Sequence, residues 1–174
     1  EGYAEVEEVD PHTEESPIIE ISPGEERVFR VAVQRFRDDL QPPDSERAGR
    51  LLASIEQALD FNGVLLSLSR DAFLGPLVTQ ELADGRRYDC GDWNQSGANA
   101  LVEGLIEGAG GEVEVSYQVW DPARCVLLLR GRLKRPASEL HRLGAALADD
   151  VVMAFTGTRG SADTEIAFIS DRSG

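Results

Sequence analysis

Histidine and cysteine each occur only twice in the 174 residues, methionine occurs once, and aromatic residues make up 6% of the chain. So little imidazole and thiol leaves few ways to build a metal centre or a nucleophilic catalyst. His12 and His141 have no second histidine or cysteine three or four residues away, the spacing of a helical ligand pair, and both read as surface side chains. Neither Cys90 nor Cys125 has a histidine near it in sequence or a visibly electropositive setting that would hold a thiolate. No serine sits in a G-x-S-x-G elbow, and the glycines from Gly104 to Gly111 lack both the G-x-G-x-x-G spacing and a following Gly-Lys-Ser/Thr. Those glycines precede a strand-like run and read as a hairpin turn. Asp149-Asp150 reads as a solvated helix face. The expectation is a non-enzyme with no cofactor and no metal.

Long apolar runs are missing as well. Nothing approaches the roughly 20 consecutive apolar residues of a membrane span, and the first residues lack the basic and apolar regions of a signal peptide. Positive charge is scarce: no Lys or Arg precedes Arg27, and the formal net charge is −15. A phosphate backbone or an anionic lipid surface would be repelled, so neither nucleic acid binding nor membrane insertion is expected. With two cysteines no disulfide framework is demanded; Cys90 and Cys125 either pair or stand as two half-buried thiols.

What is present is one core's worth of periodic apolar sequence, 41% of the chain, behind an acidic lead. Glu1 to Ser16 carry Glu5, Glu7, Glu8, Asp10, Glu14 and Glu15 with few bulky apolar residues to offset ordering entropy, and residues 1–17 are read as a flexible tail. Ile18-Ile19-Glu20-Ile21 before the Ser22-Pro23-Gly24 turn forms an extended arm, residues 18–26, suited to joining a sheet edge, its own or a partner's.

From there the chain reads as an α/β domain over residues 27–162. Val28 to Val33 is a strand covered on both faces. Asp44 or Ser45 caps a helix with Ala48, Leu51, Leu52, Ile55, Ala58 and Leu59 on one stripe, stopped at Asn62-Gly63. Val64 to Leu68 is a short strand, followed by an irregular excursion in which Leu77 to Leu82 is read as a helical turn and Trp93, with Asp92 as a cap, as an anchor onto the core. Ala100 to Ile106, the alternating Val113, Val115, Tyr117, Val119 run, and Cys125 to Leu133 make a three-stranded meander. Pro136 and Ser138 open a second helix with Leu140, Leu143, Leu147, Val151 and Phe155 in line, ended by Gly157. The expected fold is a mixed sheet of five to six strands with two main helices. Thr164 to Ile169 is a further strand-like run, and the polar Ser170 to Gly174 after it gives residues 163–174 the look of a linker with the start of something cut short.

The stretches Trp93, Gly97-Ala98-Asn99-Ala100-Leu101-Val102-Glu103-Gly104 and Val115-Ser116-Tyr117-Gln118-Val119-Trp120-Asp121 resemble the amino-terminal domain of the TolB family. So do Ala148-Asp149-Asp150-Val151, Phe155-Thr156-Gly157-Thr158-Arg159-Gly160 and Thr164-Glu165-Ile166-Ala167-Phe168-Ile169, and the spacing is kept over roughly residues 19–174. Ile169 to Gly174 is similar to the opening of a TolB-type propeller repeat. The resemblance implies an anticodon-binding-domain-like fold and a place in the periplasm, within the Tol-Pal system that maintains the outer membrane and its constriction at division. It also implies that the arm binds the C-terminal domain of TolA, while Pal is bound by a propeller this sequence does not contain. The family's I-x-I-x-x-G segment falls on Ile19, Ile21 and Gly24, so the expected partner-binding residues are Ile18, Ile19, Glu20, Ile21, Ser22 and Gly24. The sequence departs from the family in the acidic extension Glu1 to Ser16, at Arg142-Leu143-Gly144 and at Ser161-Ala162. Related periplasmic domains of this fold act on cell-wall synthases or secretion pores, which is the alternative function.

Overall fold

A computed structural model describes residues 28–79 and 90–163 of the chain. Its order is β1 (Phe29–Val33), β2 (Arg37–Leu40), α1 (Ser45–Phe61), β3 (Leu65–Ser67), α2 (Cys90–Gln95), β4 (Ala100–Gly108), β5 (Glu112–Asp121), β6 (Val126–Pro136) and α3 (Leu140–Thr156). The strands form one mixed six-stranded sheet in the order β3-β1-β4-β5-β6, with β2 also paired to β4. β1 runs parallel to β3 and β4, while β4, β5 and β6 are the antiparallel meander. The sequence expectation of a mixed sheet with two main helices holds.

Each long helix is written in its residues. Asp44 caps α1 by accepting the amide of Arg47 at 2.9 Å, and Ala48, Leu51, Leu52, Ile55, Ala58 and Leu59 are its buried face. Removing one such leucine from water is worth about 1.5–3 kcal/mol. Asn62 ends the helix by donating to the Leu59 carbonyl at 2.6 Å while its side-chain oxygen accepts the Val64 and Leu65 amides, turning the chain straight into β3. α3 stops at Gly157, whose φ of 71° is left-handed. α1 and α3 pack against each other: Ser54 Oγ donates to the His141 carbonyl at 2.8 Å, and a Cβ on Gly144 would sit 2.4 Å from that hydroxyl. Only glycine fits at this crossing.

Both helices cover one face of the sheet, enclosing Val31, Val33, Val102, Ile106, Val115, Tyr117 and Val119. On the other face Ala32 and Leu101 meet Leu68, Ala98 and Trp93, a second and smaller core. Trp93 is fully buried and meets Phe73 edge-on, with ring centroids 4.9 Å apart.

Three local readings change, and β2 joins the sheet where no element was expected. Leu77 to Thr79 is extended rather than helical: the Arg35 amide donates to the Leu77 carbonyl and the Thr79 amide to the Arg35 carbonyl, each at 2.9 Å. The backbone between β1 and β2 supplies the partners a lone helical turn would lack; residues 80–82 of that reading lie outside the described residues. β2 carries Arg37, Asp38 and Asp39, residue types poor in strand preference, and its pairing with Leu105–Gly108 of β4 decides its conformation. Asp92 lies inside α2 rather than capping it. Pro136 closes β6, so that the second helix opens with a three-residue 3-10 turn at Ala137–Glu139.

Candidate functional site

The partner-binding residues expected from the sequence, Ile18, Ile19, Glu20, Ile21, Ser22 and Gly24, lie outside the described residues. The structure describes the surface around Val28, the first described residue. Val28 is 43% exposed at the entry to β1, and Phe29 behind it donates its amide to the Val64 carbonyl at 3.3 Å and packs on Phe155 with centroids 5.8 Å apart. Around this root the end of α1 and the short edge strand β3 expose Phe61, Val64 and Leu66. Asp60 holds β3 in place, accepting the Ser67 amide and hydroxyl at 2.7 Å each. Val28 and Val64 flank the paired residues Phe29 and Leu65, so exposed apolar side chains lie on both strands where the described chain begins.

The opposite edge of the sheet, among the described residues, is β6. Its exposed side chains Val126, Leu127 and Leu128 are followed by Arg130, Arg132 and Lys134 at alternate positions. An open depression of about 370 Å³ beside this strand is lined by Leu105, Glu107, Ser116, Gln118, Arg130 and Arg132 among others.

The buried polar groups hold the excursion onto the sheet. Thr79 Oγ1 accepts the Gly104 amide at 3.0 Å and donates to Gln34 Oε1 at 3.2 Å, and Gln34 Nε2 donates to the Pro76 carbonyl at 2.7 Å. Trp120 Nε1 donates to Oε1 of the fully buried Glu103 at 3.0 Å. Cys90 and Cys125 are joined by a disulfide with a Cα–Cα distance of 5.6 Å, tying α2 to the β5–β6 turn.

Asp149 and Asp150 are not the solvated face read from the sequence. Asp149 is buried and accepts the amides of Ala162 and Asp163 at 2.8 and 3.0 Å. Asp163 in turn accepts from Arg135 at 2.9 Å and Arg142 at 3.1 Å, so the loop after α3 is clasped back along the helix. Asp150 accepts the Tyr117 hydroxyl. Burial and then the Asp150 carboxylate push the Tyr117 phenol well above its ordinary value. The sequence carried no periodicity signal for either role, because both partners are distant in the chain.

His141 is exposed as expected, and His12 lies outside the described residues. Among the described residues no group of three or more His, Cys, Asp or Glu is placed to hold a metal ion, and no helix is long and apolar enough to cross a membrane.

Comparison with known proteins adds a family. Residues 17–125 match the family described as the TolB amino-terminal domain. The Tol-Pal system protein TolB of Paramagnetospirillum magneticum is 28% identical over 155 residues, 88% of this chain and 33% of that protein. Its counterpart in Polaromonas naphthalenivorans is 30% identical over 142 residues, 80% of this chain and 30% of that protein. The crystal structure of TolB from Acinetobacter baumannii shares the fold with a TM-score of 0.61 and 24% identity over 79% of this chain and 30% of that one. The chain thus spans about a third of the length of the curated relatives it matches.

Proposed function

The chain belongs to the TolB amino-terminal domain family, and from that membership we propose that it is a periplasmic protein-binding module of the Tol-Pal system, acting by docking rather than by catalysis. The docking element is the arm, residues 18–26, between an acidic tail at 1–17 and the α/β domain at 27–162; residues 163–174 lead toward a propeller. Ile19 and Ile21 fall on one side of an extended chain, so they enter two apolar pockets while the backbone pairs with an exposed strand edge of the TolA C-terminal domain. On the same reading Pal is engaged by the propeller and not by this domain.

The observation that carries the reading is that the family match begins at residue 17 and so takes in the whole arm. The apolar rim of Val28, Phe61, Val64 and Leu66 at the arm's root supports it, as does a disulfide, which suits an oxidising compartment.

The test is a titration of the isotope-labelled chain with the TolA C-terminal domain, following backbone amides. Saturable shifts in Ile18 to Gly24 that vanish in Ile19→Asp and Ile21→Asp are expected. Saturable shifts elsewhere in the domain with Ile18 to Gly24 unmoved would reject the arm as the docking element.

A further inference from the structure

On the outer face of the meander, charge is laid out in columns. β5 offers Glu112 and Glu114; β6 offers Arg130, Arg132 and Lys134, in register with Gln118, Ser116 and Glu114 respectively. Arg132 reaches Glu114 at 3.2 Å and Lys134 reaches Glu112 at 2.8 Å. Both cations stay largely in solvent, with side chains 71% and 55% exposed, so each has room for a second carboxylate from its other side. Opposite charges on directly facing strands stabilise a sheet and like charges destabilise it. The column that fits beyond β6 is therefore acidic, and β6 is an edge among the described residues. A second copy of β6 would set cation against cation and is disfavoured.

This chain carries an acidic segment of the right kind. Glu5 and Glu7, and again Glu8 and Asp10, put two carboxylates two residues apart, the repeat of one face of an extended strand and of the Arg130, Arg132, Lys134 row. The geometry allows the reach. β1, β4 and β6 point the same way, and Val31 stands level with Val126 across three strand spacings of roughly 14 Å in all; Val28, three residues further toward that end, is then roughly 17 Å from Val126. The 11 residues 17–27 extend to at most about 36 Å.

We propose that the acidic segment Glu1 to Ser16 lies along the edge of β6, its carboxylates facing Arg130, Arg132 and Lys134. Residues 18–26 are then held at both ends, by the segment on one side and by β1 on the other, and their release toward a partner is governed by ionic strength. The contact goes beyond the TolA reading and does not depend on it, because it is formed within one chain with no partner added.

The experiment compares backbone amide shifts and hydrogen exchange of residues 126–136 in the full chain and in a chain lacking Glu1 to Ser16, each at about 20 mM and about 500 mM salt. At low salt the full chain should show β6 shifts that the shortened chain lacks, and roughly tenfold slower exchange of the β6 amides not bonded to β5, the effect of two or three exposed ion pairs. High salt should abolish both differences. In the full-length Arg132→Gln, Lys134→Gln variant the amides of residues 5–10 should take the positions they have at high salt. Identical 126–136 spectra with and without the segment would overturn the proposal. So would a difference that disappears on dilution, which would assign the contact to a second molecule's segment.

Discussion

Breaking the Cys90–Cys125 disulfide should be among the most damaging single changes to this domain. The bond closes a loop with a sequence separation of 35, and in the chain-entropy description a loop of that length costs the unfolded state about 4 kcal/mol of freedom. For a domain of this size the loss corresponds to roughly 10 °C or more in Tm. The effect has a clear local focus. Trp93 sits three positions after Cys90 and carries the smaller core with Phe73, Leu68 and Leu101, so the bond fastens one end of the segment that covers the sheet's outer face. The assay is thermal unfolding followed by circular dichroism and tryptophan fluorescence, for the oxidised chain, the reduced chain and the Cys90→Ser, Cys125→Ser variant. Reduction and double substitution should lower Tm by similar amounts, and the double variant should not respond to reductant. Oxidised and reduced forms within about 1 kcal/mol of each other would refute the loop-entropy argument, leaving Trp93 packing alone to hold the excursion.

Trp93→Ala should cost about 3–5 kcal/mol in chemical denaturation, since it empties the centre of the smaller core; a loss under about 1 kcal/mol would mean that the excursion contributes little to the fold. Asp149→Ala removes the acceptor for two loop amides and should lower stability by about 1–3 kcal/mol while raising hydrogen exchange at Ala162 and Asp163. Gly144→Val forces α1 and α3 apart at Ser54 and should cost about 1–3 kcal/mol by the same denaturation assay. Tyr117 holds its proton more tightly folded than unfolded. Above the ordinary phenol value of about 10 the unfolded chain releases that proton while the folded one keeps it, so the contribution is full below that pH and declines as pH rises. Tyr117→Phe should flatten this part of the stability profile between about pH 10 and 11, and an unchanged slope would contradict the assignment.

The elements legible in the sequence are those whose information is local. The α1 stripe from Ala48 to Leu59 and its Asp44 cap, the Gly157 stop and the alternation of β5 all lie within a few residues of one another. The elements that escaped are decided across the sheet. β2 is a strand because β4 offers it partners, not because Arg37-Asp38-Asp39 prefers one, and Leu77–Thr79 is extended because Arg35 is there to receive it. Asp149 is buried because a loop 13 and 14 residues later returns its amides to it. The pairing of Cys90 with Cys125 was likewise open, since sequence spacing does not say which turns meet. For the arm, period-two alternation at Ile19 and Ile21 and the family's I-x-I-x-x-G pattern are both readable, whereas the exposure of Val28, Phe61, Val64 and Leu66 is set by how α1, β1 and β3 pack and not by the residues' own apolar character.

The central claim is that Ile19 and Ile21 carry the binding of the TolA C-terminal domain. Calorimetric titration of that domain into the chain tests it directly, with Ile19→Asp and Ile21→Asp as the comparison. Two charges driven into apolar pockets should weaken a saturable, one-to-one association by at least about 100-fold while leaving the unfolding temperature unchanged. Equal affinity in the substituted chain, or no association in the unsubstituted one, would contradict it.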